Sequence, residues 1–212
     1  MKQILFTLFI AAFMLGSTSY GQFQFSLGPR AGVNIANLSF DPEPQGVDIG
    51  TRLGFKFGAL AELGFSPMFA VQIEPMYAMK GSELTAGSNS RKIKLTFIEI
   101  PVLFKVKFAT GGAVAPYVFA GPNIGLTLSA DLEDDINGQT SETDIKDETS
   151  SMDFAIDFGA GVGFMVSPGV VIIFDARYAL GLSNLNDNPN DPDTKIKSTG
   201  IQLLLGAMFG LN

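Results

Sequence analysis

The chain lacks the two residue types on which most catalytic and metal chemistry in proteins depends. Its 212 residues include no His and no Cys. Thiol nucleophiles, disulfides, His-based triads and the usual zinc, haem and iron–sulfur ligand sets are therefore excluded. The sequence accordingly predicts a protein that is not an enzyme and holds no cofactor.

Carboxylates remain as potential metal ligands, and they are densest in residues 129–151. This segment carries eight acidic residues against one lysine, a local net charge of −7, which equals the formal net charge of the chain. Part of it has the spacing of half an EF-hand-like calcium loop, although such a loop begins with Asp and ends with Glu at position twelve. The weak candidate ligands are Asp131, Glu133, Asp135, Asn137 and Asp144. We expect no metal site and interpret the segment as a solvated, partly disordered surface loop.

A second polar loop, near the C-terminus, allows the same two interpretations. Its side chains either bind divalent cations or form a series of turns interrupted by proline, and the second interpretation is preferred. The residues concerned are Asp187, Asn190, Asp191 and Asp193.

The remaining charges follow a period of two along segments that alternate between apolar and small or polar residues. In residues 51–65, for example, Leu53, Phe55 and Phe57 share one parity and Gly54 and Lys56 the other. Only a β-strand places alternate residues on opposite faces. Of fourteen charged strand residues, only Lys94 lies on the apolar parity. The other thirteen are Arg30, Arg52, Lys56, Lys80, Lys105, Lys107, Arg177, Glu62, Glu74, Glu99, Asp153, Asp157 and Asp175.

Eight strands of this kind run along the chain. Short connections alternate with longer polar ones, as in an up-and-down barrel whose short turns face the periplasm. An even number of strands places both termini at the short-turn end. The predicted strands are residues 23–38, 51–65, 69–80, 93–108, 116–128, 153–166, 170–182 and 198–212.

The placement of the charges indicates a barrel with an apolar exterior. A soluble barrel has the opposite arrangement, an apolar interior and a charged surface. The sequence therefore predicts an all-β protein: an eight-stranded antiparallel up-and-down transmembrane β-barrel with a polar lumen filled by side chains. The inward charges, seven positive and six negative, are expected to pair as a network that occludes the lumen, with an ion path as the alternative. Replacement of Glu99 by Lys is expected to set like charges beside Lys105 and Lys107.

The N-terminus predicts the compartment. Lys2 followed by a short apolar run and small residues is typical of a secretory signal peptide, assigned to residues 1–21, which leaves residues 22–212 as the barrel domain. We therefore expect the cell outer membrane as location. A pI near 4.5 argues against nucleic acid as a partner.

Several stretches resemble the PorT-like outer-membrane β-barrel family common in Bacteroidetes. The resemblance covers all of the chain after residue 21 and implies a barrel, without implying a particular activity; a few members are linked to secretion or gliding machinery. The similar stretches are Gly28-Pro29-Arg30-Ala31-Gly32-Val33-Asn34 with Asn37-Leu38, Phe97-Ile98-Glu99-Ile100-Pro101, Pro116-Tyr117, Ala120-Gly121-Pro122, and Tyr178-Ala179-Leu180-Gly181-Leu182-Ser183-Asn184-Leu185.

Two functional interpretations stay open at this point. The favoured one is a non-enzymatic role in the envelope: structural support, or docking of a partner through extracellular loops and periplasmic turns. The alternative is a PorT-like accessory component of a protein secretion system, or a narrow pore. The partners expected are outer-membrane lipid, the barrel insertion machinery and an envelope or secretion protein, with the barrel itself a monomer.

Overall fold

The computed structural model describes residues 24–87, 89–108, 110–136 and 138–211. The predicted signal peptide, residues 1–21, lies outside this part of the chain. Within it there are ten β-strands and one short 3₁₀ turn, Lys146–Glu148. The strands are β1 (Gln24–Asp41), β2 (Asp48–Gly64), β3 (Phe69–Ile73), β4 (Met76–Ala86), β5 (Asn89–Lys107), β6 (Val114–Ile136), β7 (Gln139–Asp144), β8 (Met152–Ser167), β9 (Val170–Gly181) and β10 (Lys195–Leu211).

These strands close into an antiparallel ring of eight positions. Each strand pairs with the next around the ring, and β1 pairs with β10 from Phe25↔Leu211 to Asp41↔Lys195. The consecutive strands β3 and β4 share one position, because both lie between β2 and β5. Strand β7 pairs only with β6 and stands outside the ring. The predicted eight-stranded up-and-down barrel is confirmed.

The interruption between β3 and β4 lies at Glu74 and Pro75. Proline has no N–H to donate to the ladder, so a strand tends to break at it. Here the neighbouring strands stay connected, because Ala59 N–H donates to the Pro75 carbonyl (3.1 Å) and Glu74 N–H donates to the Pro101 carbonyl (3.1 Å). The barrel wall is therefore continuous across the break, and the Glu74 side chain is fully buried in the interior.

The two parities predicted from the sequence face opposite sides of the wall. Large apolar residues are exposed on the outside, as shown by Leu53 (61% exposed), Phe55 and Phe104. Charged and polar residues on the other parity are buried inside, including Lys56 and Glu99. The exterior is thus apolar and the interior polar, opposite to a soluble barrel.

Short connections gather at one end of the barrel, as expected. The connection from β2 to β3 is residues 65–68, that from β5 to β6 is residues 108–113, and that from β8 to β9 is residues 168–169. Both β1 and β10 have their terminal ends there, since Phe25 pairs with Leu211. In the described residues no helix has both the length and the apolarity needed to cross a bilayer.

At the opposite end the structure corrects two of the predicted loops. Residues 81–92 were expected to form a long loop, but β4 and β5 continue through them and leave a two-residue connection. Residues 129–151 were expected to be a partly disordered loop, but β6 continues to Ile136 and turns back as β7. Polar composition lowers strand propensity, yet pairing with a neighbouring strand satisfies the backbone and overrides it.

These extensions form one sheet beyond the ring, which we call the outer sheet. Its five strands pair in sequence order from β2 to β7, without β3. It consists of residues 48–51 of β2, 82–86 of β4, 89–95 of β5, 129–136 of β6, and β7.

Candidate functional site

The inward charges meet in three clusters, and the central one contains two arginines. Arg30 Nη1 lies 2.6 Å from Glu74 Oε1, and its Nη2 bonds Asp175. Arg177 contacts Glu74 at 3.0 Å, Asp175 at 3.3 Å and Asp157 at 3.4 Å. All five side chains are at most 1% exposed. This cluster, formed from β1, β8, β9 and the break before β4, fills the middle of the barrel.

The second cluster is built from two lysines and two carboxylates. Glu99 bonds Lys56 and lies 2.5 Å from the Lys80 Nζ, which also contacts Asp153 at 3.0 Å. Lys56 donates a further hydrogen bond to Gln202 (2.9 Å). The four charges cancel, and Asp153 also accepts hydrogen bonds from the hydroxyl groups of Ser198 (2.7 Å) and Ser183 (2.9 Å).

The third cluster lies towards the short-turn end. Glu62 accepts from Lys105 (2.7 Å) and from Lys107 (2.9 Å). Lys105 also donates to Gln72 (2.8 Å), whose amide donates to Glu74 of the central cluster. Gln72 thereby connects two clusters that would otherwise be separate.

Together the three clusters balance six cations with six carboxylates. Arg52, the remaining inward residue of the thirteen, is half-buried and donates to the Lys80 carbonyl (2.5 Å). Lys94, the exception in parity, lies on the outward side and pairs with Glu133 and Glu142 of the outer sheet. An unpaired buried charge costs several kcal/mol, so an interior whose charges are all paired and cancel in total is the arrangement that a closed barrel can tolerate.

The structure corrects the expected surroundings of Glu99. Glu99 contacts Lys56 and Lys80. Lys105 and Lys107, which were expected beside it, pair instead with Glu62. Parity fixes the face of a residue but not its height in a tilted barrel, where register between strands decides which charges meet.

Sequence reasoning about charges missed the uncharged polar residues of the interior. Tyr117 donates its hydroxyl to Asp175, and Asn123 donates to Asp157 (3.2 Å). The Lys105 Nζ lies 3.9 Å from the centre of the Tyr117 ring, a cation–π contact. Each of these residues shares the inward parity of its strand, which was the signal available to find it.

Two apolar clusters fill further parts of the interior. One contains Leu60, Leu103, Tyr117, Phe119, Ile173 and Met208, all within a few residues of the short turns. The other lies at the opposite end and contains Leu38, Leu95, Phe97, Ala130 and Leu185. Leu185 belongs to the connection before β10, so this loop folds over the mouth of the barrel.

Inward glycines make space for the long charged side chains. A Cβ at Gly161 would overlap the Asp175 carboxylate and the Tyr117 ring. A Cβ at Gly28 would overlap the Ala207 carbonyl of the paired strand. At Gly161 the missing side chain is therefore a requirement of the hydrogen bond between Tyr117 and Asp175.

The weak metal candidates lie on strands of the outer sheet and not in a calcium-type loop. Asp131, Glu133 and Asp135 are on β6, and Asp144 is on β7; Asn137 lies outside the described residues. Hydrogen bonds from Lys94 and Lys92 hold the pKa of the Glu133 carboxyl below its usual range. In the part of the chain that the structure describes, no three acidic side chains converge as a metal site would need.

The second polar loop forms turns, the preferred of its two interpretations. Asn186, Asn188 and Asp191 each accept or donate hydrogen bonds within the loop, such as Thr194 Oγ1 to Asp191 Oδ1 (2.9 Å). Asn188 also donates to Glu148 (2.9 Å). The loop is thereby attached to the segment that follows β7, above the apolar cluster around Leu185.

Chemically, this interior is a closed set of ion pairs together with two apolar clusters. Each charged group of the three clusters has at least one partner of opposite charge, and solvent reaches almost none of the central side chains. The residues available to an outside molecule lie on the outer sheet and the loops around it.

Comparison with known proteins agrees with this architecture. Neisserial surface protein A (NspA) has a similar crystal structure, with a TM-score of 0.52, 17% identity, and coverage of 87% of this chain and 96% of that one. The outer membrane protein OprG from Pseudomonas aeruginosa has a TM-score of 0.55 at 11% identity, covering 92% of this chain and 98% of that one. At such identities the likeness shows the fold alone. No curated protein sequence is significantly similar to the chain.

The family comparison concerns the sequence itself. The model of the outer membrane protein β-barrel domain matches residues 20–187, most of the chain. With the apolar exterior and the ring of eight strand positions, this match places the protein in the outer membrane, as predicted. The chain belongs to the family of outer membrane protein β-barrel domains.

Proposed function

We propose that the protein is a non-enzymatic outer-membrane barrel that supports the envelope and docks a partner protein on its outer sheet. One observation carries the proposal: the barrel is filled, whereas five strands continue beyond it as an ordered sheet. A surface held rigidly by a barrel wall is suited to recognition, because little ordering entropy is lost on binding.

The filled interior argues against a pore. Five charged side chains in the interior are 0% exposed, so no water-sized space adjoins them. They are Arg30, Lys56, Glu74, Glu99 and Arg177. An ion crossing the barrel would have to displace these paired charges and both apolar clusters. An eight-stranded barrel has an interior that side chains can fill.

Conductance in a planar lipid bilayer tests the closed barrel. We expect the purified full chain, shown to be folded by a mobility difference between boiled and unboiled samples on an SDS gel, to give no single-channel steps. As a matched control, a variant carrying both Glu74→Ala and Arg177→Ala removes every ion pair of the central cluster except Arg30–Asp175 and should raise leakage. Steady openings of the unmodified folded protein would overturn the closed barrel.

A second candidate function is an accessory role in a protein secretion system. It is favoured by the similarity of residues 28–38, 97–101 and 178–185 to PorT-like sequences. Photo-crosslinkers at two places separate the candidates. Crosslinks from Ser141 in the outer sheet support docking from outside, whereas crosslinks only from Met68 in a short turn support a periplasmic secretion partner.

A further inference from the structure

The outer sheet ends in an open strand edge. Strand β7 pairs with β6 on one side, from Ile136↔Gln139 to Asp131↔Asp144. In the described residues no strand pairs with its other side. All six residues of β7 are exposed.

Hairpin geometry identifies the backbone groups on that edge. A two-residue connection joins β6 to β7, and the residues that flank such a turn form a hydrogen-bonded pair. Pairing alternates along an antiparallel ladder, so Gln139, Ser141 and Thr143 bond to β6. The N–H and C=O groups of Thr140, Glu142 and Asp144 therefore point away from β6, towards the open side.

The side chains of the same three residues lie on the outward face of the sheet, among carboxylates. Directly opposite residues on antiparallel strands destabilise each other when they carry like charges. Two such pairs occur here, Glu133↔Glu142 and Asp131↔Asp144.

Only the first of these two pairs is bridged by a cation. The Lys94 Nζ contacts both Glu142, at 3.1 Å, and Glu133. Among the described residues no lysine or arginine forms an ion pair with Asp131 or Asp144. This unbridged pair lies beside the open edge, where a cation from another molecule would relieve the repulsion.

From the edge and the unbridged carboxylates, we propose that β7 binds an extended, basic polypeptide segment of another protein as an additional strand. The segment donates to and accepts from the backbone of Thr140, Glu142 and Asp144. Its lysine or arginine side chains, at alternate positions, lie over the outward face and neutralise Asp131 and Asp144. Ile136, next to the hairpin turn and 52% exposed, offers an apolar contact to the bound segment.

A second copy of the chain fits the edge less well. Two β7 strands pairing edge to edge would bring Glu142 and Asp144 of both copies together. Like charges placed opposite each other on paired strands are destabilising, so the composition of the edge selects against self-association. The inference deepens the proposed docking function and rests on it.

Peptide binding to the full chain, folded in zwitterionic detergent, tests the proposal. The probe is a short fluorescent peptide in which Lys alternates with Thr, and its control has the same composition with the lysines in one block. We expect anisotropy to show tighter binding of the alternating peptide. Amide exchange measured by NMR should then slow at Thr140, Glu142 and Asp144. Equal binding of both peptides, or binding without protection of these amides, would overturn the strand pairing.

Two variants at one position isolate the backbone contribution. Thr140→Pro removes an N–H that the hairpin itself does not use, and proline is tolerated on an edge strand. We expect it to weaken binding roughly tenfold, and Thr140→Ala, which keeps the N–H, to leave binding unchanged. If the two variants bind alike, the edge is not the binding site.

The contribution of the Asp144 carboxylate to peptide binding is tested by a substitution and by Ca²⁺ as an inorganic control. Asp144→Asn should weaken binding about threefold and lessen its dependence on salt. If Ca²⁺ alone protects the same amides and blocks the peptide, the acidic pair is a cation site and the proposal is wrong. Failure of these peptide experiments leaves the conductance result untouched, so this inference and the closed barrel fail separately.

Discussion

At the scale of residues, two buried lysines share one carboxylate. Glu99 contacts both Lys56 and Lys80, and all three side chains are nearly inaccessible. Glu99→Gln keeps the shape and removes the charge, which leaves Lys80 paired with Asp153 and Lys56 bonded to the uncharged Gln202. We expect a loss of about 3 to 5 kcal/mol in the free energy of unfolding, measured by urea titration in lipid vesicles.

The control for this variant is Glu83→Gln. Glu83 lies 4.0 Å from Lys92 on the outer sheet, where both side chains are solvated. Exposed pairs contribute at most about 1 kcal/mol, so this change should be nearly neutral. Equal stability of the two variants would mean that the interior pairs do not hold the barrel together.

The second prediction at the scale of residues concerns the space at Gly161. Gly161→Ala inserts a methyl group where Tyr117 and Asp175 meet, and overpacking a filled interior costs about 1 to 3 kcal/mol. The unboiled band on an SDS gel should convert to the unfolded position at lower temperature than in the unmodified protein. Gly112→Ala is the matched control, because nothing lies within 4 Å of its Cβ position. A normal conversion temperature for Gly161→Ala would contradict the packing described around Tyr117.

Parity alone located the interior charges, but it did not pair them. Arg30 and Asp175, far apart in sequence, meet because β1 and β9 flank β10 in the ring. Which charges share a level depends on the stagger between strands, and no local pattern encodes this. The uncharged partners Gln72 and Tyr117 were missed for a related reason. A polar residue on the inward parity cannot be recognised as a hydrogen-bond partner until the charged residue beside it in the barrel is known.

At the scale of elements, the hairpin of β6 and β7 should respond to acid before the barrel does. Lys94 and Lys92 hold the pKa of Glu133 below its ordinary value of about 4.5. A carboxyl with a depressed pKa supports the folded hairpin above that ordinary value. This support is lost as the pH falls through the lower, folded pKa.

Carbon-13 NMR of the Glu133 carboxyl measures this midpoint directly. We expect a midpoint below that of a free glutamate, and Lys94→Gln should move it back towards the ordinary value. An unshifted midpoint in the unmodified protein would show that the ion pairs of the outward face do not form in solution.

The ends of the strands were the least predictable part of the fold. The core of each strand was found because an apolar residue at every second position is compatible with lipid, as in β5 from Ile98 to Phe104. Beyond the membrane that requirement disappears, so β6 continues through residues 131–136 with acids on one face. The Asn137-Gly138 dipeptide is a typical hairpin turn in sequence, but the segment was interpreted as a solvated, partly disordered loop because of its many acidic residues.

At the scale of the whole molecule, the barrel combines a closed wall with an unclosed sheet. Between the short turns and the level of Arg52, each of the eight strand positions has a paired neighbour on both sides. The outer sheet, in contrast, ends at β7, which has a paired neighbour on one side only in the described residues. Open edges invite pairing, and natural proteins usually cover or charge them. Here the edge is exposed and carries Glu142 and Asp144, and its acidic character is the reason for proposing a basic segment as its partner.

The pairing of β1 with β10 also constrains how the protein is made. The two strands that seal the wall are the first and the last of the ring in chain order, and they pair from Phe25↔Leu211 to Asp41↔Lys195. Until β10 has paired, any partly assembled sheet has two unpaired edges, and Arg30 of β1 is not yet brought against Asp175 of β9 across the closed ring. Sealing therefore completes the wall and the central ion pairs in one step, and until then both edges expose backbone groups that lipid cannot satisfy.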